Sequence, residues 1–209
     1  RTERTLAARQ SEATVFYDDL LPEASTGDHL ILRQALAGMI WGQQFYHYDV
    51  DRWLFGDRVA PPDSRRQGRN RHWRHLKAAD VLSMPDTWEY PWFAAWDLAF
   101  HCAALALVDL DFAKTQIELM VSDRFLHPNG QIPAYEWSFS DVNPPVHAMG
   151  ALKVFRAERV QRGACDIAFM KRVLHKLLLN YAWWINRKDA DGHNVFQGGF
   201  LGMDNIVAG

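Results

Sequence analysis

Apolar positions recur at helical spacing over most of the chain. In residues 6–21, Leu6, Ala7, Val15, Phe16 and Leu20 stand among charged residues as in an amphipathic helix, which Pro22 stops. Residues 28–45 predict a second helix, capped by Asp28 and carrying Leu30, Ile31, Ala35, Met39 and Ile40 on a helical beat. Residues 45–57 alternate instead, which suggests a strand or an extended arm. Further on, 92–108 reads as a helix, Asp111 caps another through about residue 125, and Pro144-Pro145 starts a third that reaches Val160. The last helix covers 166–186, where Val173, Leu174, Leu177, Leu178, Tyr181 and Ile185 make a wide apolar stripe. Six helices, no convincing strand ladder and connections alternately short and long predict an all-α fold of stacked helical hairpins with long loops.

Composition narrows the function classes. The 209 residues are 48% hydrophobic and 23% charged, which is ordinary for a globular chain. A net charge of -2 gives no overall attraction to nucleic acid or to an anionic membrane, so neither is expected as a partner. No apolar run of 18 residues exists to span a bilayer, and no apolar signal core follows Arg1-Thr2-Glu3-Arg4. Cys102 and Cys165 lie in helix-like apolar patterns without metal or redox spacing; they read as buried thiols and favour a reducing, cytoplasmic compartment.

Residues 58–77 hold six Arg and one Lys against a single Asp, together with Pro61-Pro62 and Gly68, a composition that resists regular structure until its end. A phosphate or nucleic-acid site is one reading of this basic loop. A solvated insertion ion-paired to the acidic remainder is the other and is preferred. His72 and His75 in the same loop have a spacing compatible with a metal, but no further ligand set joins them, so no metal or cofactor is expected.

Three segments carry candidate chemistry. In Trp88-Glu89-Tyr90-Pro91-Trp92-Phe93-Ala94-Ala95-Trp96-Asp97, a helix would place Trp92 and Trp96 one turn apart with Asp97 beside them. An acid flanked by aromatic faces suits a sugar, whose C–H face stacks on rings while its hydroxyls donate to carboxylate; a helix start with a dipole-favoured acid and core Trp explains the same residues. The second segment runs from Gly130-Gln131-Ile132-Pro133-Ala134-Tyr135-Glu136-Trp137 to Asn143-Pro144-Pro145-Val146-His147. It offers amide, carboxylate and aromatic groups at a helix N-terminus, or merely Asn143 as a cap and two first-turn prolines. The third, Gly198-Gly199-Phe200-Leu201-Gly202-Met203-Asp204-Asn205, is a tight loop presenting Asp204, or a plain turn. Walker, GxSxG and HExxH patterns do not occur, which leaves carboxylate chemistry and points to glycosyl transfer or hydrolysis.

Taken in order, these segments resemble glycoside hydrolase family 63 and the related trehalase and mannosylglycerate hydrolase clan, most closely its microbial glucosidase-like members. Trp96-Asp97, Gly130 to Pro133 leading to Asn143-Pro144-Pro145, and Gly202-Met203-Asp204-Asn205 carry the likeness, which runs from about residue 37 to 206. The resemblance implies an (α/α)6 barrel and inverting hydrolysis of an α-glucoside or related oligosaccharide. It makes Asp204 the general acid, Asp97 with Trp96 a binder of the cleaved sugar, and Gln131, Tyr135, Glu136 and Asn143 part of the wall around it; Trp92, Trp137 and Asn205 are expected beside them. It also implies a Glu general base in the second half of the barrel, and no acid before Asp204 matches that motif. The expectation is therefore about half of the toroid over residues 1–209, completed by the rest of a longer chain or by another subunit. The alternative is a non-catalytic helical module that binds carbohydrate or protein through the same surface.

Overall fold

The computed structural model describes residues 1–20, 22–68, 70–137, 139, 142–186 and 191–193. Among them the fold is mainly helical, with α1 (Thr2–Leu20), α2 (Thr26–Trp41), α3 (Val50–Phe55), α4 (Ala95–Leu105), α5 (Leu110–Met120), α6 (Val146–Arg162) and α7 (Ile167–Asn186). The expectation of no strand ladder is corrected. Strands β1 (Gln43–Asp49) and β2 (Lys77–Ser83) pair antiparallel, from Gln43 opposite Ser83 to Asp49 opposite Lys77. Between them lie α3 and a single 3-10 turn, Asp63–Gln67, within the basic stretch.

The helix boundaries follow local chemistry. Ser25 caps α2 by accepting from Asp28 N–H at 3.3 Å, so Asp28 sits inside the first turn instead of capping it. Gly42 closes α2, and residues 43–45, expected in the helix, go to β1. Asp109 caps α5 through Phe112 N–H at 2.9 Å, and Asp111, one position inside the helix, instead pairs with Arg162 at 2.8 Å through both carboxylate oxygens. Pro144-Pro145 precede α6 as expected, and Gly163, at φ 68, ends it in the left-handed region.

Helices α4, α5 and α6 pack on one another, and α7 lies against α5 and α6. Their shared core includes Leu98, Ala99, Cys102, Leu105, Ile117, Ala151, Val154, Phe169 and Val173. Gly150 permits the close α4–α6 approach, since a Cβ there would stand 2.8 Å from the Ala99 carbonyl oxygen. A half-buried ionic knot ties three elements together: Lys114 Nζ donates to Glu158 at 2.9 Å and to Asp166 at 2.7 Å, and Glu158 also accepts from Asp166 N–H at 2.9 Å. The stripe expected to face the core on α7 is divided. Val173 is buried and Leu177 half-buried, whereas Leu174, Leu178, Tyr181 and Ile185 are exposed.

The sheet is anchored to this core by one amide. The Gln116 side chain on α5 is buried, donates to Val81 C=O at 2.9 Å and accepts from Ser83 N–H at 3.3 Å, taking the place of a further strand at β2. The same core continues into an aromatic stack that includes Trp73 of the arm joining the strands. Trp137 stacks on Phe93 with centroids 5.4 Å apart and meets Phe125 edge-on at 4.9 Å, while Trp73 packs on Phe139 at 4.8 Å. Cys102 is fully buried and free, with burial pushing its thiol pKa up; Cys165, expected to be buried, is half-exposed and also free. No helix among the described residues is long and apolar enough to cross a membrane.

Candidate functional site

Two of the three segments singled out in the sequence are joined at the start of α4. Ala94 and Tyr135 form an antiparallel bridge, with Ala95 N–H donating to Ala134 C=O and Glu136 N–H to Phe93 C=O, both at 3.0 Å. This pairing holds residue 94 extended, at φ -134 and ψ 120, so the helix cannot begin before Ala95. The expected Trp92/Trp96 pairing on one helical face is thereby corrected: Trp92 lies on the preceding loop, 37% exposed and packed on Tyr90 at 5.6 Å. Trp96 and Asp97 occupy the first helical turn, both half-buried.

A narrow pocket of about 10 Å³, room for a single water and not for a sugar ring, opens beside this turn. Trp96 and Pro133 form one part of its wall, Asn143 and His147 a second, Asn180 and Trp184 a third. The end of the second segment thus meets the first segment through Asn143. A purely capping role for Asn143 does not hold, because the residue preceding α6 is Pro145 and makes no side-chain cap. Asn143 is instead 8% exposed, within the wall.

His147 lines this pocket and Asp97 does not, and burial governs the titration of both. Asp97 has its carboxyl pKa raised by desolvation, opposed by a hydrogen bond with its own backbone. His147 is pushed down to about 4, chiefly by burial, with its bond to Asn180 pulling the other way. Asn180 Nδ2 donates to Gly130 C=O at 2.8 Å, which turns Asn180 Oδ1 toward His147 Nε2, also at 2.8 Å. A neutral His147 must therefore carry its proton on Nε2 and donate. This chain fixes α6, α7 and the loop bearing Gly130 against each other. Gly130 itself is held at φ +93, where a Cβ would stand 2.3 Å from the Leu179 carbonyl oxygen.

The remaining candidates divide. Gln131 is 3% exposed; its side chain donates to Phe139 C=O at 2.9 Å within its own loop. Tyr135 is half-buried at the bridge, and Glu136 accepts a hydrogen bond from the Tyr46 hydroxyl of β1. Trp137, expected near the sugar, is core instead, 4% exposed in the aromatic stack. Asp204 and Asn205 lie outside the described residues. His72 and His75 have separate roles: His72 Nε2 accepts from Arg71 Nε at 2.9 Å, and His75 packs edge-on against Trp73 at 4.3 Å.

Sequence reasoning left Asn180, Trp184 and His147 unassigned. The signal for Asn180 was there, since it is an amide embedded in the apolar run of α7, and Trp184 follows one turn later on the same side. Glu136, next to the bridge residue Tyr135, lines a separate and larger cleft together with residues of the arm between β1 and β2.

Comparison with known proteins places this geometry in context. Residues 90–209 match the model of the mannosylglycerate hydrolase MGH1-like glycoside hydrolase domain. An uncharacterized protein of Saccharomyces cerevisiae, YMR196W, is 52% identical over 203 residues, covering 95% of this chain. The chain spans 19% of that relative's length. No solved structure matches it.

Proposed function

The chain belongs to that glycoside hydrolase family, and from this premise we propose that it forms part of the catalytic domain of an inverting α-glycosidase, similar to the glucosidase-like members of family 63. In this reading Trp96 and Asp97 hold the sugar whose bond is cut, with Trp92, Gln131, Tyr135, Glu136 and Asn143 around it. Asp204 is the general acid that protonates the leaving oxygen, and Asn205 stands beside it. An inverting enzyme needs a second carboxylate roughly 6.5–9.5 Å away, across the ring, so that water fits between. The reading assigns that role to a Glu in the second half of an (α/α)6 barrel.

The observation that carries the reading is the bridge at Ala94 and Tyr135, which sets Trp96-Asp97 beside Pro133 to Glu136 at one helix end. Asn143 joins Trp96 in the same pocket. The exposed apolar row of Leu174, Leu178, Tyr181 and Ile185 is the flank that a further helical hairpin would cover, supplied by the rest of a longer chain or by another subunit.

The test uses the longer protein that carries this chain. Hydrolysis of an α-glucoside, followed by proton NMR, should release the β-anomer first. Asp204→Asn should abolish turnover, and Asp97→Asn should lower kcat/KM by about 100-fold or more. A sugar-dependent change in Trp fluorescence without any turnover supports the non-catalytic binding module instead, and absence of both refutes the two readings together.

A further inference from the structure

The arm between β1 and β2 builds a cleft of about 720 Å³ that faces Glu136 and is walled by His47, Tyr48, Trp53, Arg65 and Asn70. Its floor is a constructed polar element. Asn70 is 6% exposed; its Oδ1 accepts from Trp137 N–H at 3.0 Å and its Nδ2 donates to the Tyr48 hydroxyl at 2.6 Å. The arm is thereby fastened to the segment that also holds the start of α4, and the Tyr48 ring is held in place at the cleft wall. Glu136 is fixed there by the Tyr46 hydroxyl.

The charge at the rim is distributed unevenly. Arg52, Arg66 and Arg74 are held by Asp57, Asp63 and Asp51. Arg65 lies over the Trp53 ring, 4.1 Å from its centroid, donates at 3.5 Å to the Trp53 carbonyl and, among the described residues, pairs with no carboxylate; Arg58 and Arg71 pair with none either but do not line the cleft. A guanidinium backed by an indole face presents its remaining donors in a fixed plane, which matches the two oxygens of a carboxylate. Glu136 lines the same cleft as an acceptor for hydroxyls, and Tyr48 and Trp53 contribute aromatic faces to its wall. A carboxylate alone would meet repulsion from Glu136, and a neutral sugar would leave Arg65 unused.

We propose that this cleft binds an acidic hexose unit, a uronic acid, whose carboxylate lies against Arg65 and whose hydroxyls donate to Glu136. Resting on the glycosidase reading, the unit would be the part of the substrate beyond the cleaved bond, with Glu136, which that reading places around the cleaved sugar, at the junction of the two units.

Binding of D-glucuronate and of its neutral isostere D-glucuronamide, measured by intrinsic fluorescence and ligand-observed NMR, tests this without need of turnover. The chain should prefer the acid by about tenfold or more, the effect expected of one charge-assisted contact. Arg65→Gln should abolish the preference, Arg65→Lys should retain part of it, and Arg66→Gln should leave it unchanged. Circular dichroism confirms that each variant is folded, and Arg65→Lys, which keeps the charge, decides the matter if Arg65→Gln is not. Equal affinity for the two probes, or an undiminished preference in Arg65→Gln, overturns the proposal. Failure of the glycosidase reading shows separately, as absent turnover with the preference intact.

Discussion

Acidification should unfold this protein partly through His147. Its imidazole is 6% exposed, and its pKa falls from 6.5 to about 4 because burial disfavours the cation. The folded state therefore keeps His147 neutral while the unfolded chain takes up a proton below pH 6.5. Stability from this group is complete above that value, and it declines as pH falls toward 4. Each pKa unit corresponds to about 1.4 kcal/mol, so the whole drop amounts to roughly 3 kcal/mol, of which about 2 kcal/mol is lost between pH 7 and pH 5. Urea unfolding followed by fluorescence at those two pH values should show the loss as a midpoint lower by about 1 M, for a slope near 2 kcal/mol/M. His147→Gln retains a donor for Asn180 Oδ1 but cannot titrate, and the other histidines are common to both proteins. The difference between the two midpoint shifts thus isolates this residue. If wild type and His147→Gln lose the same stability between pH 7 and pH 5, the account of a buried neutral imidazole is wrong.

Three further outcomes follow from the packing. Gly163→Ala and Gly130→Ala both place a side chain at positive φ, but only the second meets a neighbour, so thermal unfolding should show about 1 kcal/mol lost at Gly163 and about 3 kcal/mol or more at Gly130. Glu158→Ala takes one of two partners from the half-buried Lys114 ammonium, Asp166 remaining, and should cost about 1–2 kcal/mol in urea unfolding, beyond the effect of removing an exposed pair such as Arg9 with Glu12. Tyr46→Phe removes the hydroxyl bonded to Glu136 and should cost about 1 kcal/mol in the same assay, while leaving far-UV circular dichroism unchanged.

The helices near the C-terminal side were legible because their boundaries are written locally. Two prolines precede α6, a glycine able to adopt positive φ ends it, and Asp166 accepts from Phe169 N–H at 2.8 Å to start α7. Cap positions slipped by a few residues where two capping residue types stand close together, as Ser25 with Asp28 and Asp109 with Asp111 do. The strand pair was only half visible. Residues 43–49 alternate, but their partner lies beyond a long basic arm, and Lys77–Ser83 contains a single β-branched residue. Its pairing is stabilised by Gln116, a contact that no local pattern encodes.

Legibility of the site was divided in the same way. Trp96, Asp97 and Asn143 could be named from residue type and neighbourhood, yet the late start of α4 could not, because it depends on a non-local bridge to Tyr135. Trp137 looked like a sugar-facing aromatic for the same reason that it is core: a large flat ring next to polar residues suits either environment, and only packing on Phe93 and Phe125 decides. The arm's contribution was hidden because the arginine count described a loop with net charge, whereas the informative fact is that Arg65 lies on the Trp53 ring at the cleft wall.

The Ala94–Tyr135 bridge also sets a limit on how the loop before it can change. Neighbouring residues of extended chain face opposite ways, so a one-residue slip of the pairing opposite Ala94 would exchange the directions taken by Tyr135 and Glu136. Glu136 would then turn from the arm's cleft, Tyr135 would turn into it, and the bond from the Tyr46 hydroxyl to Glu136 would be lost. Length changes between Gly130 and Ala134 should accordingly be tolerated where the loop absorbs them and the register at Tyr135 is kept, and rejected where the pairing slips, a distinction that a library of loop insertions would reveal directly.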